Sequence, residues 1–145
     1  MMPTIWTIGY EQTTVDAFLA ALTAAGVEIV ADVRAVAASR RPGFSKTALA
    51  ANLASAGIEY RHFRALGTPA DGRAAARAGN QAALERIYAG QLELPEAIVA
   101  GAQLAELAHE RRTALLCYER DPAGCHRTLL RKTVLDVFVA DDLWP

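Results

Sequence analysis

One segment, residues 114–130 (ALLCYERDPAGCHRTLL), constrains the fold most because it joins a strand, a polar turn and a helix start. Its apolar run, 115–118, is typical of a strand covered on both faces, as in a parallel sheet. Asp121 and Pro122 then signal a helix start, since Asp caps free backbone N–H groups and Pro fits the first helical position. Apolar residues recur at helical spacing from Leu129 to Phe138. The segment predicts a buried strand followed by a buried helix.

The same junction carries most of the reactive side chains. Cys117 and Glu119 fall at the carboxyl end of the strand, and Cys125, His126 and Arg127 fall in the first turns of the helix. A strand end that faces a helix amino terminus suits anions, because free N–H groups and the positive end of the helix dipole lie there. Simple packing of both cysteines in the core is the alternative, since free Cys is among the most buried residue types. Because the chain must reverse tightly between them, we predict that the two cysteines are neighbours.

The rest of the chain alternates between strand and helix patterns. Strands are predicted over 4–8, 27–33, 58–63 and 113–118, helices over 15–26, 45–57, 74–88 and 95–110 and after Pro122, and a short tail over 141–145. This alternation predicts an α/β, Rossmann-like three-layer fold with right-handed crossovers. Its sheet is expected to be mainly parallel, with about four to five strands flanked by helices.

Composition narrows the class of protein. The 145 residues, 52% of them hydrophobic, suit a single domain over 1–145. The net charge of −1 gives no global positive field, although residues 34–77 hold eight basic side chains against two acidic ones. A solvated basic face is the simplest explanation of that excess. No segment resembles a signal peptide or a membrane span, so we expect a soluble cytoplasmic protein with reduced cysteines and no membrane partner.

Polar residues converge on one edge of the predicted sheet. Tyr10 follows the first strand, Asp32 and Arg34 end the second, and Cys117 and Glu119 end the fourth. Ligands bind at the carboxyl ends of the strands in open parallel sheets. We therefore expect the functional site at this edge.

The ligand class is suggested by the arginines that can reach this edge, which are Arg34, Arg40, Arg41 and Arg127. Guanidinium groups are forked donors that match phosphate or carboxylate. The chain has no Walker loop and no GxGxxG motif, so ordinary nucleoside-triphosphate or dinucleotide binding is not supported. A phosphatase-like loop is not supported either, because Ala123 stands six residues after Cys117, where Arg would be needed. A Cys on a strand-to-helix turn can still be an activated thiolate.

Zinc is an alternative use of the same cysteines. Cys117, Cys125 and His126 would need a fourth ligand from His62 or His109. Their spacing matches no standard CxxC pattern. No other cofactor is expected, apart from the Mg²⁺ discussed below.

Five motifs, spread over nearly the whole chain, resemble the DUF488 family, a set of small bacterial and archaeal proteins named for their unknown function. They are TIGY at 7–10, DVR at 32–34, SRRPGFSK at 39–46, LGTP at 66–69 and CYERDPAGCHR at 117–127. Ala37 departs from the pattern, since relatives often have Pro there. The resemblance implies an α/β fold but no reaction, and it implies a shared site built from Asp32, Arg34, Ser39, Arg40, Cys117, Glu119, Cys125, His126 and Arg127.

We predict an enzyme that acts on a phosphate-bearing small molecule, nucleotide or nucleic acid. Its catalytic residues are predicted to be Cys117 as nucleophile, His126 as base or acid, Glu119 and Asp32. The predicted substrate-binding residues are Tyr10, Arg34, Ser39, Arg40, Cys125 and Arg127. In a metal-dependent version, Asp32 and Glu119 hold Mg²⁺ while the arginines neutralise phosphate charge. The rival is a non-catalytic module that grips an anionic ligand or nucleic acid. The sequence does not fix the oligomeric state.

Three more specific expectations concern the arginines. Arg34, Arg40 and Arg127 are predicted to surround one pocket. Arg34 is expected to turn toward the ligand while Asp32 orients it or its loop. A phosphate-type ligand is expected to raise thermal stability, and replacement of Arg127 by Ala is expected to abolish most of that gain and to leave the apo fold intact.

Overall fold

A five-stranded sheet forms the centre of the protein in a computed structural model that describes residues 3–145. The strands are β1 (Thr4–Gly9), β2 (Ile29–Asp32), β3 (Glu59–His62), β4 (Thr113–Cys117) and β5 (Val139–Leu143). Their order across the sheet is β3-β2-β4-β1-β5, and every pairing is parallel. The predicted α/β class, with a parallel sheet of four to five strands, is confirmed.

Six helices flank the sheet: α1 (Val15–Ala25), α2 (Lys46–Ser55), α3 (Ala70–Arg77), α4 (Gln81–Leu92), α5 (Pro95–Glu110) and α6 (His126–Val134). Two short 3-10 turns, Arg64–Leu66 and Pro122–Gly124, precede α3 and α6. Among residues 3–145, no helix combines the length and the apolar character of a membrane span.

Two separate hydrophobic cores lie on the two faces of the sheet. The period of two in β4 sends Leu115 into one core, with α5 and α6, and Leu116 into the other, with α1 and α2. All five residues of β4 are buried, as expected for a central strand covered on both faces. The fold therefore has three layers, as the sequence predicts.

One of the predicted helices is divided in two in the structure. The helix expected over 74–88 is two helices, because Gly79 has a positive φ of 72° and Asn80 begins α4 as its N-cap, accepting the N–H of Ala83. Helix α1 begins at Val15, as predicted, and the Thr14 side chain caps it by accepting the N–H of Ala17 at 3.1 Å.

The carboxyl-terminal region differs most from the prediction. Helix α6 ends at Val134, and the following residues turn so that Leu135 and Phe138 enter the core. The residues expected to form a tail, 141–145, include the last three residues of β5, which pairs with β1 from Thr4 opposite Val139 onward. Strand β5 is an edge strand with two aspartates and mostly exposed residues. Its sequence therefore lacks the apolar run that reveals a buried strand.

The strand order places the predicted edge residues side by side. Strand β4 lies between β1 and β2, so the carboxyl ends of these three strands are adjacent. Gly9 is opposite Cys117 in the β1–β4 pairing, and Asp32 is opposite Leu116 in the β2–β4 pairing. This edge positions the candidate site.

Candidate functional site

A cavity of about 500 Å³ opens at the carboxyl ends of β1, β2 and β4. The predicted site residues on its wall are Tyr10, Arg34, Ser39, Cys117, Glu119, Cys125 and His126. The helical side of the cavity is formed by Thr68, Arg73, Ala76, Arg77 and Leu84. Seven of the ten predicted site residues thus share one cavity, and Asp32, Arg40 and Arg127 are not on its wall.

Two cysteines and one histidine form a buried cluster on this wall. The Sγ atoms of Cys117 and Cys125 and a ring nitrogen of His126 all lie within 4.8 Å of one another. His126 Nδ1 is 3.4 Å from the sulfur of Cys117 and 3.7 Å from that of Cys125. The prediction that the cysteines are neighbours is confirmed.

The turn between the cysteines is built in two steps. Asp121 accepts the N–H of Ala123 at 2.9 Å and so caps the 3-10 turn rather than the helix. Cys125 is the N-cap of α6, and its sulfur accepts the N–H of Arg127 at 3.5 Å. Helix α6 therefore begins at His126, four residues later than the Asp-Pro signal predicts. A Cys cap is hard to foresee because Ser, Thr, Asp and Asn are the preferred N-cap residues.

The orientation of His126 is fixed by the backbone of β2. Its Nε2 lies 2.6 Å from the carbonyl oxygen of Val33. A carbonyl can only accept, so Nε2 carries a proton and donates it, and Nδ1 is turned to the two sulfurs. The ring of Tyr88 packs edge-on against the imidazole at 5.2 Å between centroids. The histidine is thus held by a hydrogen bond on one side and by packing on another.

The electrostatic environment of the cluster shifts the pKa values of the two thiols in opposite directions. Burial alone would raise the pKa of Cys125, but the hydrogen bond from Cys117 and the charges of His126 and Arg127 hold it well below its ordinary value. The pKa of Cys117 is raised well above its ordinary value by burial, and further by Cys125 and Glu119. The two opposite shifts favour ionisation of Cys125 over ionisation of Cys117. This arrangement favours Cys125 as the thiolate, where the sequence predicts Cys117.

The two other titratable groups of the site respond to the same charge. Burial opposes protonation of His126, yet the thiolate of Cys125 raises its pKa above the ordinary value. Burial raises the pKa of Glu119, and the nearby Cys125 adds to that effect. The Glu119 carboxylate lies 3.1 Å from the sulfur of Cys117. A negative charge on Cys125 thus favours protonation of both His126 and Glu119.

Beside the cluster, Asp32 and Arg34 form a buried ion pair. Asp32 Oδ1 accepts Nε of Arg34 at 2.9 Å, and Oδ2 accepts Nη2 at 2.7 Å. The Tyr60 hydroxyl donates to the same Oδ2. The Asp32 carboxylate is therefore occupied by donors, and Mg²⁺ at Asp32 and Glu119, which stays a prediction, would have to displace them. Asp32 orients Arg34, as expected, whereas the turn of Arg34 toward a ligand stays a prediction.

Arg34 in turn holds the loop that follows β2. Its Nη1 donates to the carbonyl of Phe44 at 2.7 Å and to the hydroxyl of Tyr10 at 3.2 Å. The Tyr10 ring stacks on Phe44 with 4.6 Å between centroids. Ser39 is tied into the same loop, because its backbone N–H donates to the Ser45 hydroxyl at 2.9 Å. Most donors of Arg34 are engaged within the protein, although the residue lines the cavity.

The other two predicted arginines do not reach the cavity wall. Arg40 is exposed to solvent. Arg127 is fully buried, and its guanidinium donates to the backbone carbonyl of Glu119. Of the three arginines expected to surround one pocket, only Arg34 lines it. Their substrate-binding role stays a prediction, but the contacts of Arg127 are those of a residue that supports the turn.

Sequence reasoning missed Arg73 and Arg77, which line the cavity from α3. The signal was present in the basic excess of residues 34–77. It was obscured because α3 is rich in Ala, which indicates a structural helix. The i, i+4 spacing places both side chains on the same face of α3.

The segments that form the site also identify the protein family of the chain. The family described as "Domain of unknown function DUF488" matches residues 14–134. The chain belongs to the DUF488 family. The match includes the DVR, SRRPGFSK, LGTP and CYERDPAGCHR motifs, while the TIGY motif at 7–10 lies before it. Neither the curated proteins nor the solved structures contain a match to this DUF488 chain. Its function must therefore be argued from the geometry of the site.

Proposed function

We propose that this DUF488 protein is an enzyme that binds a small phosphate-bearing substrate in the cavity and transforms it at the cysteine–histidine cluster. One observation carries the proposal: the cluster and two arginines without an acidic partner line the same cavity. We therefore assign the expected anion site mainly to Arg73 and Arg77.

The charges of Arg73 and Arg77 are available to a ligand. Arg73 Nη1 donates to the carbonyl of Thr68 at 2.9 Å, which orients the side chain without neutralising it. Within residues 3–145, neither arginine belongs to an ion pair. By contrast, the charge of Arg34 is offset by Asp32 at 2.7 Å. Two unpaired guanidinium groups on one helix face suit the oxygens of a phosphate.

The dimensions of the cavity favour a small molecule over nucleic acid. Its volume of about 500 Å³ lies within the range of small-ligand sites. The formal net charge of the chain is −1, so a nucleic-acid backbone would meet no general positive potential. Apolar and aromatic groups on the wall, among them Leu84 and Tyr118, can contact the uncharged part of the substrate.

Anion binding is tested by the shift of the melting temperature with inorganic phosphate and with nucleoside monophosphates, at matched ionic strength. Binding to the folded state alone raises stability, by about 2.7 kcal/mol at a hundred times the Kd. We expect this gain in wild type and in Arg86→Ala, an exposed arginine of α4 that does not line the cavity. The double variant Arg73→Ala/Arg77→Ala should lose it. Equal gains in all three proteins would contradict the proposed anion site.

Catalysis is tested separately from binding. Every compound that raises the melting temperature is incubated with wild type and with His126→Gln, and the mixture is analysed by mass spectrometry. We expect wild type to consume at least one compound that the variant leaves unchanged. Recovery of all bound compounds from wild type would instead identify a binding module.

A further inference from the structure

The two sulfurs and one nitrogen of the cluster have the dimensions of a metal site. Tetrahedral zinc with Zn–S bonds of about 2.3 Å and Zn–N bonds of about 2.1 Å has N···S edges of about 3.6 Å and S···S edges of about 3.8 Å. His126 Nδ1 lies 3.4 Å from one sulfur and 3.7 Å from the other. The three ligand atoms lie within 4.8 Å of one another. An ion at the centre of this triangle needs little movement of the side chains.

The histidine is oriented as a metal ligand would be. Histidine ligands usually donate the other ring N–H to a carbonyl or a carboxylate, which fixes the ring and the tautomer. Here Nε2 donates to the Val33 carbonyl at 2.6 Å and leaves Nδ1 to face the sulfurs. This hydrogen bond is independent of the spacing between the ligand atoms.

We infer that Cys117, Cys125 and His126 bind one Zn²⁺ ion at the floor of the cavity. Zinc binding displaces the proton of the Cys117 thiol to solvent. The resulting two thiolates and one imidazole are soft donors that suit zinc better than magnesium. Two thiolates also balance the double charge of the ion, so that the buried cluster carries no net charge.

All three ligand residues line the cavity, so we place the fourth coordination position on the cavity side. Three protein ligands with an open fourth position characterise catalytic rather than structural zinc. The Glu119 carboxyl group, 3.1 Å from the Cys117 sulfur, adjoins the cluster. The histidines considered as fourth ligands are engaged elsewhere: His62 Nε2 lies 2.7 Å from the Arg34 carbonyl, and the His109 ring packs on Phe138.

Zinc binding stands without the proposed substrate, whereas any part of the ion in the reaction rests on the proposed function. An ion at the floor of the cavity would carry a water molecule and lower the pKa of that water. It would also attract the phosphate that Arg73 and Arg77 bind.

The experiment uses the full chain, purified under reducing conditions and analysed for metals by mass spectrometry. We expect one zinc ion per chain. After removal with a chelator, Co²⁺ should give the intense visible bands of a tetrahedral ion and thiolate-to-cobalt charge-transfer absorption. Because the cobalt spectrum is recorded on wild type, it needs no variant to fold. The inference would be overturned if folded, fully reduced wild type takes up neither metal. It would also be overturned if the protein binds Co²⁺ without showing thiolate-to-cobalt charge-transfer bands.

Variants identify the ligands. Cys117→Ser, Cys125→Ser and His126→Gln should each weaken zinc binding by more than the roughly 10- to 100-fold cost of losing an outer hydrogen bond. His62→Gln is the matched control, because His62 ends β3 at the same sheet edge but lies outside the cluster. Far-UV circular dichroism establishes that each variant is folded. Unchanged zinc affinity in folded cysteine variants would also contradict the site.

The outcome separates this inference from the proposed function. Stoichiometric zinc without a phosphate-dependent melting shift would leave the metal site and refute the anion site. If the chain has no affinity for zinc or cobalt but shows a phosphate-dependent melting shift that requires Arg73 and Arg77, the anion site is supported and the metal site is refuted. A disulfide between the cysteines, detected as a mass two hydrogens lower after purification without reductant, is compatible with zinc only if reduction restores metal uptake.

Discussion

His126 Nε2 donates to the carbonyl oxygen of Val33 at 2.6 Å and so fastens the first residue of α6 to the chain just beyond β2. The bond links two segments that are 93 residues apart in sequence. It determines that the other ring nitrogen, Nδ1, faces the sulfurs of Cys117 and Cys125. The geometry of the cluster therefore depends on the position of the β2 terminus as well as on the CYERDPAGCHR segment.

The first prediction concerns the buried pair of Asp32 and Arg34. Asp32→Ala leaves a buried guanidinium without its partner, so we expect the free energy of unfolding to fall by about 3–5 kcal/mol. Glu59→Ala is the control, because Glu59 pairs with Arg111 at 3.0 Å at a half-exposed site and should cost no more than about 1 kcal/mol. Denaturant unfolding measures both. Equal losses in the free energy of unfolding would show that the buried ion pair stabilises the fold no more than the half-exposed one.

The second prediction concerns pH. Burial, and then the hydrogen bond and charge of Asp32, raise the pKa of Tyr60 above its ordinary value. Because the folded pKa exceeds the unfolded one, this contribution to stability is complete below about pH 10 and is lost as the pH rises toward the folded pKa. The free energy of unfolding of wild type should therefore fall more steeply above about pH 10 than that of Tyr60→Phe. Urea unfolding at a series of pH values tests this, and parallel curves would refute it.

A third prediction concerns the close approach of β1 to the turn after β4. A Cβ atom on Gly9 would lie 1.8 Å from the carbonyl oxygen of Glu119, so Gly9→Ala must displace the Cys117–Glu119 segment. We expect a loss of at least about 1–3 kcal/mol, as for overpacked sites, together with weaker zinc binding. Gly90→Ala in α4 meets nothing within 4 Å and should be neutral or stabilising by about 0.5–1 kcal/mol. Thermal and denaturant unfolding compare the two, and a harmless Gly9→Ala would be inconsistent with this packing.

The fourth prediction revises the expectation for Arg127. Its side chain is fully buried and donates to the Glu119 carbonyl, so Arg127→Ala should destabilise the apo protein by about 2–5 kcal/mol through a cavity and an unpaired carbonyl. The exposed Lys132→Ala in the same helix should change stability by no more than about 0.5 kcal/mol. Unfolding without ligand is the measurement. An apo Arg127→Ala protein as stable as wild type would support the original ligand-binding role.

The sequence was sufficient for the parts of the fold that depend on local pattern. The apolar run of β4 and the succession of strands and helices predicted the parallel sheet, and the sheet predicted the edge where Tyr10, Arg34 and Cys117 meet. Strand β5 could not be found in this way, because it is held by pairing with β1 while its own residues are mostly exposed.

The roles of charged residues were harder to predict, since they depend on tertiary contacts. Arg127 and Arg73 are the same residue type on two helices, yet one is buried against a carbonyl and the other lines the cavity. Nothing in their local sequence separates these two environments. Likewise, the pKa of Cys125 is lowered by the hydrogen bond from Cys117 and by the charges of His126 and Arg127, which are tertiary contacts. The cap that Cys125 forms at α6 has no established sequence signal either.

The central claim is that one cavity joins the arginines of α3 to the cysteine–histidine cluster. Titration of ¹⁵N-labelled protein with inorganic phosphate, followed by heteronuclear NMR, tests it most directly. We predict saturable shifts at the amides of Ser39, Arg73, Glu119 and His126, and their loss in Arg73→Ala/Arg77→Ala. Shifts confined to exposed basic residues outside the cavity, such as Arg40 and Lys132, would contradict the account.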